Sequence, residues 1–262
     1  MQESIDQAAQ RIAAATSVAC FTGAGISVPS GIPDYRSSGT GVWEDHDPME
    51  VASIDAFQRD PGPFYRAYRV LGQKMLAAGP NAAHLALARL EGLGRMRAVI
   101  TQNIDSLHHA AGSRRVLELH GSLRTATCLR CDRQIDFRPV LDKLFEDGTV
   151  PRCSLCGGLL KPDVVMFGEM LPTDVLAAAM ALAERCEVFL CVGSSLVVFP
   201  AAALPMQAAA CGHAVVILNR EPTLLDPAAA VVLRGDVVET LPAVAERVAD
   251  LLGETSNDRD DR

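Results

Sequence analysis

"FTGAGISVPSGIPDYR" (residues 21–36) follows a short apolar run and begins like a turn that binds dinucleotides. Gly23 and Gly25 match the first two glycines of a G-x-G-x-x-G motif, but Val28 occupies the third position. Glycines between a strand and a helix start let the main chain approach a phosphate, which the helix N-terminus stabilises. The stretch therefore predicts a phosphate-binding loop, with Ser27 as a helix cap or a phosphate ligand, although a purely structural turn has the same pattern.

The segment after this loop departs from the layout of a hydride-transferring dehydrogenase. Such an enzyme places an acidic residue at the end of the second strand, about 20 residues after the glycines, where it binds a ribose. Glu44, Asp45 and Asp47 stand at that distance, but in a loop that contains glycine and proline. Tyr35 and Arg36 instead place an aromatic ring and a guanidinium beside the loop, which suits a nicotinamide face and a pyrophosphate or ribose.

Short apolar runs recur along the chain and alternate with helical patterns. The runs are continuous, as expected for strands that are covered on both faces, and they lie at residues 17–22, 98–101, 188–193, 214–219 and 230–235. The helical patterns lie at residues 3–15, 81–94, 171–186 and 237–252. This alternation predicts an α/β protein with a Rossmann-like, doubly wound parallel sheet.

Two regions interrupt the alternation and predict a smaller domain, made of a zinc-ribbon module and a helical insertion. The helical insertion with the cofactor loop spans residues 37–80, and the cysteine-rich module spans residues 121–163. The polar tail is expected to be disordered. The Rossmann-like domain is assigned to residues 1–36, 81–120 and 164–252, and the tail to residues 253–262.

The composition excludes several classes of protein. The 262 residues are 49% hydrophobic and carry a formal net charge of −8. Nucleic-acid binding is therefore not expected, because its affinity depends on phosphate neutralisation by Lys and Arg. No apolar run reaches the length of a membrane span, and the N-terminus is too polar for a signal peptide. We expect a cytoplasmic protein without a membrane partner.

Polar residues follow the apolar run at 98–101 and are expected at the ligand crevice. In "TQNIDSLHHAAG" they are Gln102, Asn103 and Asp105, and open α/β sheets bind ligands beyond the carboxyl ends of their strands. Helix capping by the Asn or the Asp is the alternative. His120 follows another short apolar run, in "VLELHGSL", and its position at the same edge makes it a candidate catalytic residue.

The cysteines form two C-x-x-C pairs. Cys128 and Cys131 are separated from Cys153 and Cys156 by 21 residues. Two such pairs supply the four thiolates of a tetrahedral Zn²⁺ site. Since sulfur fills all four positions, no place is left for water or substrate, and the predicted zinc is structural.

The motifs together, in this order, resemble the sirtuins, the NAD-dependent protein lysine deacylases. They are "GAGISVPSGIPDYR", "TQNIDSLHHAAG", "LHG", the two C-x-x-C pairs, "KPDVVMFGE", "VGSSLVVFP" and "ILNREPT", and they run from about residue 18 to residue 238. The resemblance implies a sirtuin of the bacterial type. It also implies two bound groups, NAD and Zn²⁺, and acylated-lysine proteins as substrates.

Sirtuins consume NAD, and the resemblance implies the same reaction here. The acyl-lysine carbonyl oxygen attacks the ribose carbon that bears nicotinamide, nicotinamide leaves, and an alkylimidate forms. His120 is implied as the general base that activates a ribose hydroxyl, a role that suits an imidazole pKa, and Asn103 as a second catalytic residue. The products are free lysine, nicotinamide and an acylated ADP-ribose.

The resemblance also implies the contacts with NAD, position by position. The diphosphate loop would contain Gly23, Ala24, Gly25, Ser27 and Val28. The nicotinamide and its ribose would be bound by Tyr35, Arg36, Gln102, Asn103, Ile104 and Asp105, with Tyr in place of the family's usual Phe. The remaining phosphate, ribose and adenine contacts would come from Gly193, Ser194, Ser195, Asn219, Asp236 and Val237.

On the substrate side, Val165, Phe167 and Gly168 would pair through their main chains with an extended peptide. Sirtuins that prefer acidic acyl groups carry a Tyr and, three residues later, an Arg on the helix that lines the acyl pocket. Tyr65 is present, but the Arg falls one position late at Arg69, about 100° around a helix. The sequence therefore favours acetyl.

Three alternatives stay open at this stage. A sirtuin-like ADP-ribosyltransferase, or a deacylase for longer or acidic acyl groups, would share every cofactor motif. A non-catalytic zinc-ribbon module on a nucleotide-binding scaffold is the third. The oligomeric state is expected to be a monomer.

Overall fold

The computed structural model describes residues 1–34 and 47–254. The strands are β1 (Val18–Thr22), β2 (Met96–Thr101), β3 (Val116–Glu118), β4 (Gly121–Cys128), β5 (Gln134–Asp136), β6 (Leu160–Val164), β7 (Val188–Val192), β8 (Ala214–Leu218) and β9 (Val231–Leu233). The helices are α1 (Gln2–Ala14), α2 (Pro48–Val51), α3 (Ile54–Arg59), α4 (Gly62–Ala77), α5 (Ala82–Gly92), α6 (Leu107–Ala110), α7 (Arg138–Asp147), α8 (Thr173–Arg185), α9 (Ala203–Ala210) and α10 (Val237–Leu251).

Six of the strands form one parallel sheet in the order β3-β2-β1-β7-β8-β9. All residues of β1 and β7 are buried, which explains their continuous apolar sequence. From β1 the chain builds the sheet outward in one direction, and from β7 it builds outward in the other. The two strands therefore flank the topological switch point, where doubly wound sheets bind their ligands. The predicted fold class is confirmed.

Helices cover both faces of this sheet, and each face has its own apolar core. On one face, α1, α5 and α10 pack together over residues such as Ile12, Leu87 and Val248. On the other face, α8 and α9 cover Phe21 and Phe189. Helix α10 is capped by the residue before it, Asp236, whose side chain accepts a hydrogen bond from the main-chain N–H of Val238.

The smaller unit has a third core. The antiparallel sheet β5-β4-β6 packs with α3, α4 and α7, and its interior is aromatic. Phe57 lies 5.2 Å edge-on from Phe64, measured between ring centroids. This unit matches the expected combination of a cysteine module and a helical insertion. The exact boundaries assigned above stay a prediction, and most of the polar tail lies outside the described residues.

Among the described residues, every helix is too short or too polar to span a membrane.

Candidate active site

Three glycines bring the first loop against the end of β7 at the switch point. The N–H of Gly25 donates to the carbonyl of Gly193 at 2.9 Å. A Cβ on Gly25 would lie 2.7 Å from the Gly193 oxygen, and one on Gly193, where φ is +60°, would lie 2.4 Å from the nitrogen of Ile26. Gly23 is as tight, with 2.9 Å between its virtual Cβ and the Gly193 oxygen. Main-chain atoms and the Cβ of Ser194 pack directly against these glycines, and such a close approach of main chain suits a diphosphate.

The loop differs from the prediction in one respect. Where the sequence indicated a helix start, the chain forms two 3-10 turns, Ala24–Ile26 and Val28–Ser30. Pro29 sits at the start of the second turn, and Gly31 ends it in the left-handed region with φ 87°. An α-helix N-terminus is therefore absent here, and the cradle depends on the close approach of the glycines.

Ser27 is neither a helix cap nor an exposed phosphate ligand, which corrects that part of the prediction. Its side chain is buried, and its hydroxyl donates to Asp105 Oδ2 at 2.7 Å. The same oxygen accepts from Asn103 Nδ2 at 3.1 Å and lies 3.4 Å from His84 Nε2. One donor and two acceptor sites complete the capacity of a hydroxyl. Ser27 therefore holds other polar side chains in place.

His84 is the residue that the sequence reasoning missed. Its Nδ1 accepts from the main-chain N–H of Asn81 at 3.3 Å, so the proton of the neutral ring is on Nε2, facing Ser27. Burial lowers the pKa of His84 to about 4, against the opposing charge of Asp105. The available signal was the capping pattern Asn-x-x-His at a helix start, with a polar residue where the helix needs an apolar one.

Asn103 and Asp105 lie together beside the glycine cradle. Asn103 Nδ2 donates to the carbonyl of Gly23 at 3.1 Å, and its own main-chain N–H donates to Thr101 Oγ1 at 3.0 Å. Asp105 Oδ1 accepts from the N–H of Leu107, the first residue of α6, at 2.9 Å, although the N-cap position itself is Ser106, which makes no side-chain cap bond. A small cavity adjoins these side chains, lined by Ala24, Ser27, Ile32, Pro33, Met75, Asn103, Ile104 and Asp105.

His120 follows β3 and has a defined tautomer. Its Nδ1 lies 2.8 Å from the carbonyl oxygen of Gln102, and a carbonyl can only accept. Nδ1 therefore carries the proton, and Nε2 keeps its lone pair. Burial lowers the pKa of His120, while the hydrogen bond to Gln102 opposes the shift. A neutral imidazole with a free Nε2 at neutral pH is suited to general-base catalysis.

Gln102 presents an unsatisfied donor at the same edge of the sheet. Its Nε2 is buried and has no partner within the part of the chain that the structure describes. Its Oε1 accepts from Ser194 Oγ at 3.4 Å, which joins the ends of β2 and β7. An unpaired buried amide costs free energy unless a ligand or water satisfies it. Together with the cradle, this donor fits a dinucleotide such as NAD.

The predicted adenosine contacts lie further along this edge, at the ends of β8 and β9. Asn219 Nδ2 donates to the carbonyl of Glu221 at 2.8 Å. Asp236 caps α10 through Val238 N at 3.0 Å and pairs with Arg220 at 2.5 Å. Ser195 lies shortly after the end of β7, and Val237 lies shortly after the end of β9. Tyr35 and Arg36 lie outside the described residues.

The four predicted metal ligands are brought together. The sulfurs of Cys128, Cys131, Cys153 and Cys156 all lie within 4.8 Å of one another. Main-chain N–H groups point at two of them, Arg130 N to Cys128 Sγ and Gly158 N to Cys156 Sγ, each at 3.4 Å. Such bonds stabilise thiolates, and four sulfur donors at this spacing fit Zn²⁺ with a closed, structural coordination shell.

The substrate residues need two corrections. The main chain of Phe167 is already occupied, since its N–H donates to Ala52 O and its C=O accepts from Ile54 N, both at 3.0 Å. Phe167 therefore offers its side chain, which is 41% exposed, and not a free main-chain edge. Tyr65 is a core residue, 1% exposed, whose hydroxyl donates to Leu160 O at 2.6 Å. Its phenol is bonded inside the smaller unit.

Val165 and Gly168 remain compatible with their predicted role. Val165 donates its N–H to the carbonyl of His120 at 2.9 Å, which joins this segment directly to the candidate base. No main-chain bond between described residues uses the C=O of Val165 or the N–H of Gly168.

The fold and the site define a nucleotide-binding α/β protein with a cysteine-rich metal module. The model of the Sir2 family matches residues 23–200, and the chain belongs to this family. It is similar to NAD-dependent protein deacylase 2 of Archaeoglobus fulgidus, with 46% identity over 255 residues that cover 97% of this chain and 100% of the relative. Archaeal relatives of this kind do not support the bacterial type expected from the sequence.

Two solved structures extend the comparison. Sir2Af2 bound to a myristoylated histone peptide has a TM-score of 0.84 and 41% identity, covering 97% of this chain and 100% of that one. A Sir2 variant with a deacetylated p53 peptide and 3'-O-acetyl ADP-ribose has a TM-score of 0.87 and 40% identity, covering 95% of this chain and 98% of that one.

Proposed function

We propose that this protein is an NAD-dependent protein-lysine deacylase, which transfers the acyl group to ADP-ribose and releases nicotinamide. The observation that carries the proposal is the tautomer of His120, whose Nδ1–H is bound to Gln102 O at 2.8 Å. This bond leaves Nε2 as the proton acceptor at the end of β3, two strands from β1, where the glycine cradle begins. The names and ligands of the Sir2 relatives support the same reaction.

Different residues around the switch point bind different parts of NAD. NAD supplies the ribose carbon to which the acyl oxygen is joined and the hydroxyl that later accepts the acyl group. The cradle of Gly23, Gly25 and Gly193 binds the diphosphate, and Gln102 Nε2 donates to the bound dinucleotide. Asn103 and Asp105, held by Ser27, form the polar wall of the nicotinamide pocket.

His120 accepts the proton of a ribose hydroxyl at Nε2. As the ring becomes charged, Gln102 O stabilises it by accepting from Nδ1. The lowered pKa keeps the base unprotonated when the substrates bind, because burial disfavours the imidazolium. Asn103 is bonded to Gly23 O and to Ser27, and thereby keeps the pocket and the cradle in register.

The acylated lysine reaches this centre as part of an extended peptide. Val165 and Gly168 contribute their remaining main-chain groups to it, and the exposed ring of Phe167 lines the path of the acyl-lysine. Because Val165 N is bonded to His120 O, the segment that binds the peptide is attached directly to the residue that acts as the base.

Uncharged acyl groups suit the pocket better than acidic ones. Arg69 donates from Nε and Nη2 to Phe145 O at 3.1 and 2.8 Å, and the Tyr65 hydroxyl is bonded to Leu160 O. Both groups are thus engaged away from an acyl carboxylate. Acetyl is the first choice; the relative with a myristoylated peptide makes a longer acyl chain the second.

The test is to incubate the protein with NAD and matched acetyl-, myristoyl- and succinyl-lysine peptides. Nicotinamide release that equals peptide deacylation, with acyl ADP-ribose as product, supports the proposal. Transfer of label from NAD to protein without deacylation identifies an ADP-ribosyltransferase instead. NAD that stays intact with every peptide overturns both. A monomeric state and a cytoplasmic location are further parts of this proposal, which rest on the sequence alone.

A further inference from the structure

Residues 161–169, here called the substrate loop, close on themselves through a charged pair outside the catalytic cluster. Lys161 and Glu169 lie at either end of this segment, with Lys161 Nζ 3.0 Å from Glu169 Oε2. Only 12% of the Lys161 side chain and 26% of the Glu169 side chain are exposed. The NAD and zinc sites described above do not use either residue.

The ammonium group of Lys161 organises the start of the loop. Beyond its bond to Glu169, Nζ donates to Val164 O at 2.9 Å and to Pro162 O at 3.2 Å. Three acceptors satisfy the three donors of an ammonium group. Lys161 therefore holds the main chain immediately before Val165, whose N–H is bonded to His120 O.

The carboxylate of Glu169 organises the other end. Its Oε2 accepts from the N–H of Met166 at 2.8 Å, and its own N–H donates to Met166 O at 3.0 Å. These bonds close the loop around Phe167 and Gly168, and Gly168 adopts φ +88° at the tip. The loop is thus preformed, and no main-chain bond between described residues uses the C=O of Val165 or the N–H of Gly168.

Stability alone is a weak reason for such a pair. Removing two charges from water costs free energy that their attraction returns only in part, so that buried ion pairs are commonly replaceable by apolar residues. Preorganisation of a binding segment is a different benefit, because it lowers the entropy lost when a ligand binds.

We propose that Lys161 and Glu169 are positioning residues for the acyl-lysine peptide, and that they set its affinity by holding the substrate loop in its binding conformation. The inference rests on the proposed function. It predicts a specific kinetic signature: the KM for peptide depends on the pair, while the KM for NAD and the kcat at saturating peptide do not.

The test uses Lys161→Met, Glu169→Gln and the conservative Lys161→Arg in the full-length, zinc-loaded protein. Arg138→Met and Asp142→Asn are matched controls, since this pair is more than half exposed on α7. Lys161→Met and Glu169→Gln are expected to raise the KM for an acetyl-lysine peptide by about ten-fold. In a direct binding measurement, the affinity for a fluorescent acetyl-lysine peptide is expected to fall by the same factor. Lys161→Arg recovers most of the loss, and the controls leave both values unchanged.

The outcomes separate this inference from the proposed function. A wild-type protein that turns over acetyl-lysine peptide, with Lys161→Met and Glu169→Gln equal to it in peptide KM and binding, overturns the positioning role alone. If both KM values rise to the same extent, kcat falls and the melting temperature is lowered, the pair has only a structural role. That outcome also overturns the inference. If the wild-type protein deacylates no peptide, the proposed function itself fails.

Discussion

His120 donates its Nδ1 hydrogen to the main-chain oxygen of Gln102 at 2.8 Å, and this bond assigns the free lone pair to Nε2. His120→Ala is therefore expected to lower kcat by about 10²–10⁴-fold, the usual contribution of a general base. Steady-state kinetics with NAD and an acetyl-lysine peptide measure it. His109→Ala is the control, because that exposed ring pairs with Glu118. An undiminished rate in His120→Ala would refute the assignment.

The pH profile of the wild-type protein gives a second test of the same base. Because burial lowers the pKa of His120, the acid limb of the rate is expected below pH 6.5. Activity is retained above this limb and is lost as the pH falls through the lowered pKa. A rate that is already falling as the pH drops from 8 to 7 would contradict a neutral, buried base.

The glycine cradle predicts a loss of NAD binding when Cβ atoms are added. In Gly25→Ala, the new carbon would lie 2.7 Å from the carbonyl oxygen of Gly193, so the two segments must separate. The expected result is a KM for NAD raised by about ten-fold or more, with a loss of stability on the order of 1–3 kcal/mol. Gly92→Ala is the matched control, since its Cβ meets nothing within 4 Å. Equal NAD affinity in both variants would exclude the cradle.

The buried histidines predict how stability changes with pH. Burial lowers the pKa of His84 to about 4 and that of His108 to about 3, and nearby histidines add to the second shift. Below pH 6.5 these histidines bind protons in the unfolded chain but stay neutral in the folded chain. The free energy of unfolding therefore decreases as the pH is lowered. Each histidine is expected to contribute about 1–2 kcal/mol of this loss between pH 6.5 and 5.

Urea unfolding across this pH range measures the effect. His108→Phe is expected to flatten the slope, even if its stability at pH 7.5 is lower, because one proton-linked group has been removed. His213→Ala removes an exposed histidine and is expected to retain the wild-type slope. Identical slopes in all three proteins would show that buried histidines do not cause the acid sensitivity.

The cysteine cluster predicts one structural zinc per chain. Chelation, or Cys128→Ser, is expected to release the metal and destabilise the smaller unit, because Cys128 and Cys153 are buried in its core and the metal would join the two turns there. Metal analysis and circular dichroism test both effects. Cys211→Ser is the control, since that exposed thiol lies outside the cluster. A metal-free protein with an unchanged melting temperature would contradict a structural ion.

Tyr65 provides a prediction that separates core packing from acyl selection. Tyr65→Phe removes the hydroxyl that donates to Leu160 O at 2.6 Å and leaves that buried acceptor unpaired. The expected cost is about 1–2 kcal/mol of unfolding free energy. The ratio of acetyl to succinyl turnover is expected to stay constant. A shift of that ratio toward either peptide would show that Tyr65 does contribute to acyl selection.

Local pattern in the sequence was sufficient for the sheet, the clustered cysteines and the edge of the sheet where the candidate site lies. Continuous apolar runs specify buried parallel strands, because a strand covered on both faces has no polar side. The carboxyl ends of such strands meet at one edge, which brings Gly23, Gln102, His120 and Gly193 to the same crevice. Each C-x-x-C turn places its two sulfurs close together within four residues. Metal binding by these cysteines can therefore be predicted from the sequence without knowledge of the fold.

Only the tertiary structure decided which partner each polar group would have. Ser27 looked like a phosphate ligand, but its bonds go to Asn103 and Asp105, which are 76 and 78 residues away. The main chain of Phe167 looked available, but residues 52–54 occupy it. Sequence spacing determines what lies on one strand or one helical turn. Hydrogen bonds between segments far apart depend on how the packed elements bring them together, and no local pattern records that.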